Sequence, residues 1–302
     1  MTANVTLVFV GRLRENDSIQ SLTAISFDVL LSRCDPFTGR DCTLDLREVR
    51  FISPAALVQL VASAHAIKKT GASLTLCVED SSVRTYLVRS GFVSAIKDVA
   101  TVEPAYDDAS LHRFDHLHGS NPLLLEITKI QNGGALPSLL DRIVALLRTR
   151  LQYRKHDAYD VATVISEVAQ NTFDHNDGTC GFLAVQTYQP RKGSRFIEIG
   201  VSDFGDGLRT TLQRNTTLRL PHTDMDLIVY ATQLGVSQHQ DRTRGTGLHH
   251  LLRIAAEHEG SVHIRSGSGK VTYRGDKDQG WRHTVPPMPG VQIAISMKRR
   301  ST

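Results

Sequence analysis

The sequence predicts an α/β protein organised in two units. Three observations carry this. Short strand-like runs alternate with helix-period segments through the first hundred residues, the alternation lapses in a polar, histidine-rich stretch after Thr101, and it restarts near Leu123. A length of 302 residues suits about two domains. The units are expected at 1–105 and 121–302, joined by a linker at 106–120.

Taken in order, Val5–Val10 reads as a strand, and Ile19–Leu31 places Leu22, Ile25 and Val29 at helical spacing. A turn around Asp35, Pro36 and Gly39 follows, then strand material at Thr43–Leu46 and Val49–Ile52. Ala55–Lys69 is predicted as a helix ended by Gly71, Leu74–Val78 as a strand and Val83–Ser90 as a helix closed by Gly91. In the second unit Leu123–Ile130 is a strand, and Ser138–Leu151 and Asp157–His175 are helices. Phe182–Tyr188 and Phe196–Val201 are strands, the latter with Ile197, Ile199 and Val201 on one face. A polar, irregular stretch is expected over Leu208–Arg244. Leu248–Glu257 is then helical, and Val262–Ser266, Val271–Arg274 and Val291–Met297 are strands.

Composition narrows the function classes. Hydrophobic residues make up 40% and charged residues 22%, values typical of a soluble globular chain. Thirty-five Lys and Arg against 31 Asp and Glu give +4, scattered along the chain, so nucleic acid is not indicated as a partner. No apolar run reaches the ~18 residues of a membrane span. No signal-peptide layout opens the sequence, and a cytoplasmic location is expected. Cys34, Cys42, Cys77 and Cys180 form no CxxC pair and are read as reduced thiols. His112, His116 and His118 are read as solvated linker in preference to a metal site.

Three motifs carry chemistry. Glu167 and Asn171 lie four apart on one face of a predicted helix, and His175 continues that line. A carboxylate there can act as general base while an amide oxygen ligates Mg²⁺. Asp203-Phe204-Gly205-Asp206-Gly207 follows a strand. Its first carboxylate can accept from the exocyclic amine of adenine, and its glycines let backbone approach a base and sugar. Arg244-Gly245-Thr246-Gly247-Leu248 leads into a helix whose N-terminus favours phosphate oxygens. Taken singly, each also suits a solvated helix face or an ordinary turn. Ser266-Gly267-Ser268-Gly269-Lys270 fails as a P-loop, because Val271 stands where Ser or Thr is needed.

In this order the three motifs resemble the GHKL (histidine-kinase-like) ATPase superfamily over about 121–298, closest in character to its anti-sigma-factor serine kinases. The resemblance implies an α/β sandwich whose mixed sheet is covered by helices on one face, with ATP and Mg²⁺ as cofactors. Glu167 would be the general base and Asn171 the Mg²⁺ ligand. His175, Asp203, Gly205, Gly207, Gly245, Thr246, Gly247 and Leu248 would complete the nucleotide site, with Asp203 reading adenine and the Gly245/Gly247 segment forming a mobile lid. Ala256–Gly269 and Pro289–Ile295 resemble the family's downstream helix, glycine and strand.

The first unit resembles a STAS domain, a mixed sheet with helices, through Leu44–Leu57, Gly71, Leu74–Val78 and Val83–Phe92. Where those antagonists carry a phosphorylatable serine, this chain has Ser53-Pro54-Ala55-Ala56, so a docking module without the phosphoswitch is expected. Together the resemblances imply an ATP-binding regulatory protein that hydrolyses ATP or phosphorylates a protein partner on Ser or Thr. A homodimer is compatible with it. The alternative is a non-catalytic, ATP-dependent conformational switch.

Overall fold

The computed structural model describes residues 7–300 apart from 11, 15, 16, 19, 34, 108–123, 131–133, 135, 150, 151, 175–179, 191–193, 238–245 and 276–279. Strands β1 (Leu7–Val10), β2 (Arg12–Arg14), β3 (Asp17–Ser18) and β4 (Ser21–Leu22) lead to helix α1 (Ala24–Arg33). Strands β5 (Cys42–Asp45) and β6 (Phe51–Ile52), helix α2 (Pro54–Lys69), strand β7 (Leu74–Cys77), helices α3 (Ser81–Arg89) and α4 (Phe92–Ile96) and strand β8 (Ala100–Glu103) follow. The next elements are β9 (Leu124–Ile130), α5 (Leu136–Thr149), α6 (Lys155–Asp174), β10 (Gly181–Tyr188) and β11 (Phe196–Asp203). Helices α7 (Gly207–Gln213), α8 (Asp224–Ala231) and α9 (Gly247–Glu257) precede the long strands β12 (Ser261–Arg274) and β13 (Trp281–Lys298).

The α/β class is as expected, but the sheets are not mixed. A four-stranded sheet in the order β1-β5-β7-β8 is parallel at every pairing. A five-stranded sheet in the order β12-β13-β11-β10-β9 is antiparallel at every pairing. Helices also cover the second sheet on both faces where one was expected. Leu183 and Val185 of β10, with Ile197, Ile199 and Val201 of β11, join the core formed with α5, α6 and α9. The alternate residues Phe182 and Ala184 join the core built around α1, α2 and the parallel sheet. A strand buried on both faces reads as a continuous apolar run, as Phe182–Val185 does.

Local chemistry sets the middle layer. Ser53 is the N-cap of α2, its Oγ accepting from the Ala56 amide at 3.4 Å, and Pro54 fits the first turn because its missing N–H has no helical partner. Asp80 caps α3 by accepting from the Ser82 and Val83 amides, both at 3.0 Å. The start of α2 presses on β11 so closely that a Cβ at Gly200 would lie 2.5 Å from Ala55 Cα and 2.7 Å from Pro54 O. Only glycine admits that approach. Ser53 itself is buried at this helix start. Tyr86 of α3 donates to Gln186 Oε1 at 3.1 Å, and the Ile127 amide donates to Ser90 O at 2.8 Å, so side chains and backbone both bridge the halves.

A buried ionic cluster joins the same layers. Arg265 Nε donates to Asp28 Oδ1 of α1 at 2.9 Å, and Lys270 Nζ donates to Asp28 Oδ2 and, at 3.1 Å, to Ala24 O. Lys270, which gave the sequence its P-loop appearance, thus faces α1. The Ser-Gly-Ser-Gly segment before it, within β12, is pinned to α8, since the Ser268 amide and hydroxyl donate to Asp224 Oδ2 at 3.0 and 2.9 Å.

Three further expectations change. Within Leu208–Val236, read as irregular, α7 and α8 form and bury Leu212, Leu227, Ile228 and Ala231. Helix α4 and strand β8 form before and across the stretch where apolar density falls. The two short strands read at Val262–Ser266 and Val271–Arg274 are one strand, β12, paired along β13 with register shifts at Ser266/Gly267 and Gly267/Gly269.

Candidate functional site

Four sequence-distant segments reach one cavity. It is lined by Val168 and Thr172 of α6, Val201 and Asp203 of β11, Leu208 of α7, Leu248 of α9, and Val291 and Ile293 of β13. Apolar branched side chains form most of the wall, with one carboxylate and one hydroxyl among them. Thr172 Oγ1 donates to Val168 O at 3.0 Å.

Asp203 is 4% exposed, at the end of β11. Its Oδ1 accepts from the Gly205 amide at 2.9 Å, which fixes the carboxylate and starts the turn. Gly290 of β13 makes room for this turn, since a Cβ there would lie 2.2 Å from Asp203 O. Gly207 has a φ of +75°, in the left-handed region that favours glycine, and it opens α7. The following amide, Leu208, donates to Ser266 Oγ at 2.9 Å. The Asp203-x-Gly205-x-Gly207 pattern therefore has a local cause at every fixed position except Gly205, whose contribution is its amide.

Glu167 lies on α6, and its Oε1 is 3.6 Å from His250 Nδ1 on the first turn of α9. This pairing sets the carboxylate beside the start of α9, while neither Glu167 nor His250 is among the side chains lining the cavity. Thr246, the N-cap of α9, makes no side-chain cap hydrogen bond, and Gly247 and Leu248 open the helix. Asn171 is in α6, but its side chain lies outside the described residues, as do His175, Gly245 and the linker histidines His112, His116 and His118.

Of the histidines near the second glycine motif, only His250 faces Glu167. His258 Nε2 is 3.0 Å from Asp160 Oδ2, and His263 Nδ1 is 2.9 Å from Thr272 Oγ1. His249 lines a separate cleft between α8 and α9 with Leu252 and Arg253. His250 was not singled out for this role in the sequence. Its place three residues after Gly247, on the first turn of the helix that follows the glycines, was the available signal.

The turn is also held from behind. Phe204, between Asp203 and Gly205, stacks on His65 of α2 with centroids 5.2 Å apart and planes 19° apart, and Lys69 Nζ lies 5.2 Å from its centroid. Burial is the main influence lowering the His65 ring below its ordinary value, opposed by its hydrogen bond to Ala95 O.

No protein-family model matches the chain, and no curated protein matches it.

Proposed function

We propose that the chain is an ATP-binding regulatory protein of GHKL type, hydrolysing ATP or phosphorylating a protein partner on Ser or Thr, with the N-terminal unit as its STAS-like docking module. The observation that carries this reading is the convergence of α6, the Asp203 turn and the start of α9 on one cavity. A slot of branched apolar side chains with one fixed carboxylate suits a flat base that bears an exocyclic amine. A carboxylate accepts from adenine's amine and opposes the O6 of guanine. The donor set therefore fits an adenine nucleotide.

Glu167 is assigned to accept the proton of the attacking water or hydroxyl, and His250 positions it. The amides at the start of α9 would meet phosphate oxygens. Mg²⁺, when bound, would neutralise charge on the phosphates, with Asn171 as its proposed protein ligand.

Incubation of purified protein with γ-labelled ATP and Mg²⁺, alone and with cell lysate, separates the outcomes. Released phosphate or labelled protein supports catalysis. Binding without either favours the non-catalytic conformational switch. No nucleotide binding refutes both.

A further inference from the structure

A second polar cluster lies where the first turn of α6 meets the end of α9. One ligand atom from each of His156, Asp157 and Asp160 lies within 4.8 Å of the other two. His156 and Asp160 are four apart, so they share a helix face. His156 Nδ1 is 3.0 Å from Asp160 Oδ2. That spacing is the edge of a coordination polyhedron with metal–ligand bonds of about 2.0–2.2 Å.

Asp157 supplies an independent sign of a ligand. It is 2% exposed, and its Oδ2 has no hydrogen-bond partner. Buried polar atoms are satisfied as a rule, so an orphaned carboxylate oxygen beside two other donors calls for a cation. Arg300 is a weak substitute. Its guanidinium is 3.8 Å from Asp157 Oδ1 and 3.6 Å from Asp160 Oδ2, while its close partner is Glu257 Oε2 at 2.9 Å.

The surroundings match what metal ligands need. His258 is fully buried, with Nδ1 at 3.0 Å from Lys298 O and Nε2 at 3.0 Å from Asp160 Oδ2. The ring thereby braces the Asp160 carboxylate from behind. Ligating carboxylates are held in this way by outer hydrogen bonds. His156 is exposed and opens the cluster to solvent, giving an ion a path in and water a place to complete its coordination.

We propose that His156 Nδ1, Asp157 and Asp160 Oδ2 bind a divalent transition cation of the Zn²⁺ class, with His258 as a positioning residue. One imidazole with two carboxylates favours this class over Mg²⁺, which prefers oxygen ligands and retains its waters. All three ligands belong to the start of α6, which His258 links to the end of α9 through Asp160. The assignment is independent of the nucleotide reading.

The test is calorimetric titration of ZnCl₂ into the nucleotide-free full chain, in a His112→Gln/His116→Gln/His118→Gln background that removes the linker histidines as competing ligands. One equivalent is expected to bind, unaffected by excess Mg²⁺ and unchanged by Glu167→Ala. His156→Ala, at an exposed position where folding is preserved, should weaken binding at least tenfold, and Asp160→Asn should do the same. Absence of a one-equivalent site, displacement by Mg²⁺, or equal affinity in folded His156→Ala protein would overturn the proposal.

Discussion

Removing the Asp28 carboxylate tests whether the two halves are one cooperative unit. Arg265 and Lys270 have side chains only 2% and 6% exposed, and both take Asp28 as their counter-charge. Breaking a buried pair by deleting one partner costs about 3–5 kcal/mol, because the surviving charge stays desolvated. Two cations lose their partner here, which argues for the upper end. Against that, Arg265 keeps Gln292 Oε1 at 3.3 Å and Pro286 O, and Lys270 keeps Ala24 O. Asp28→Ala is therefore expected to lose about 3–4 kcal/mol, which at about 2–4 °C per kcal/mol lowers Tm by roughly 6–16 °C. Urea unfolding of wild type and variant, followed by circular dichroism and Trp281 fluorescence, measures it. One transition should be retained with an unchanged slope, since α2 belongs to the cores of both sheets. Replacing all three residues, as Asp28→Leu/Arg265→Met/Lys270→Met, should recover most of the loss. A loss below about 0.5 kcal/mol in Asp28→Ala would place the cluster among weak surface pairs and refute the reasoning.

Asp203→Ala should weaken ATP binding by about 1.5–3 kcal/mol, one to two decades in Kd, with GTP weak for wild type; calorimetry on the folded variant showing unchanged ATP affinity removes Asp203 from adenine recognition. Glu167→Ala should keep ATP and lose turnover, whereas Asn171→Ala should lose Mg²⁺-dependent affinity as well; an Asn171→Ala protein with wild-type Mg²⁺ dependence disposes of the ligand assignment. Burial, with Lys270 and Arg274 nearby, holds the His263 ring down to about 4 from 6.5. The folded state thus binds fewer protons than the unfolded state, and His263 makes stability fall as pH drops from about 6.5 towards 4, by at most about 3–4 kcal/mol. His263→Gln should flatten that part of the stability–pH curve, and an unchanged slope would assign the acid sensitivity elsewhere.

Much of the architecture was legible because local chemistry and tertiary packing agree. The alternation Ile197, Ile199, Val201 placed one face of β11 correctly, and Gly71 and Gly91 both have positive φ at the helix ends they were read to mark. The order of the three motifs also located segments that share a cavity. What was missed depends on pairings without local period. Asp28 meets Arg265 across 237 positions, and nothing near either residue announces it. The distal part of the β12–β13 pairing runs through Gly267, Gly269 and Pro286, Pro287, residues that signal turns until a long partner strand is available. Helices α7 and α8 are short and were masked by polar neighbours, yet Thr223 accepting from the Asp226 amide at 3.1 Å is an N-cap that the sequence carried.

Helix α2 ties the parallel sheet to the second sheet at its first turn. That turn presents Pro54 and Ala55 to Gly200, and larger side chains would force the sheets apart. The Glu198 carboxyl of β11 sits at this helix start: burial pushes it up, while the Ser53 hydroxyl and the Ala55 amide hydrogen-bond it and act in the opposite direction. Ser53 is 2% exposed, and this cover leaves no access for its modification. The far end of α2 touches the Asp203 turn through His65 and Lys69 on Phe204. One rigid helix thus meets β11 at its middle and at its end, so displacement of the Asp203–Gly207 backbone must work against packing that also holds the parallel sheet.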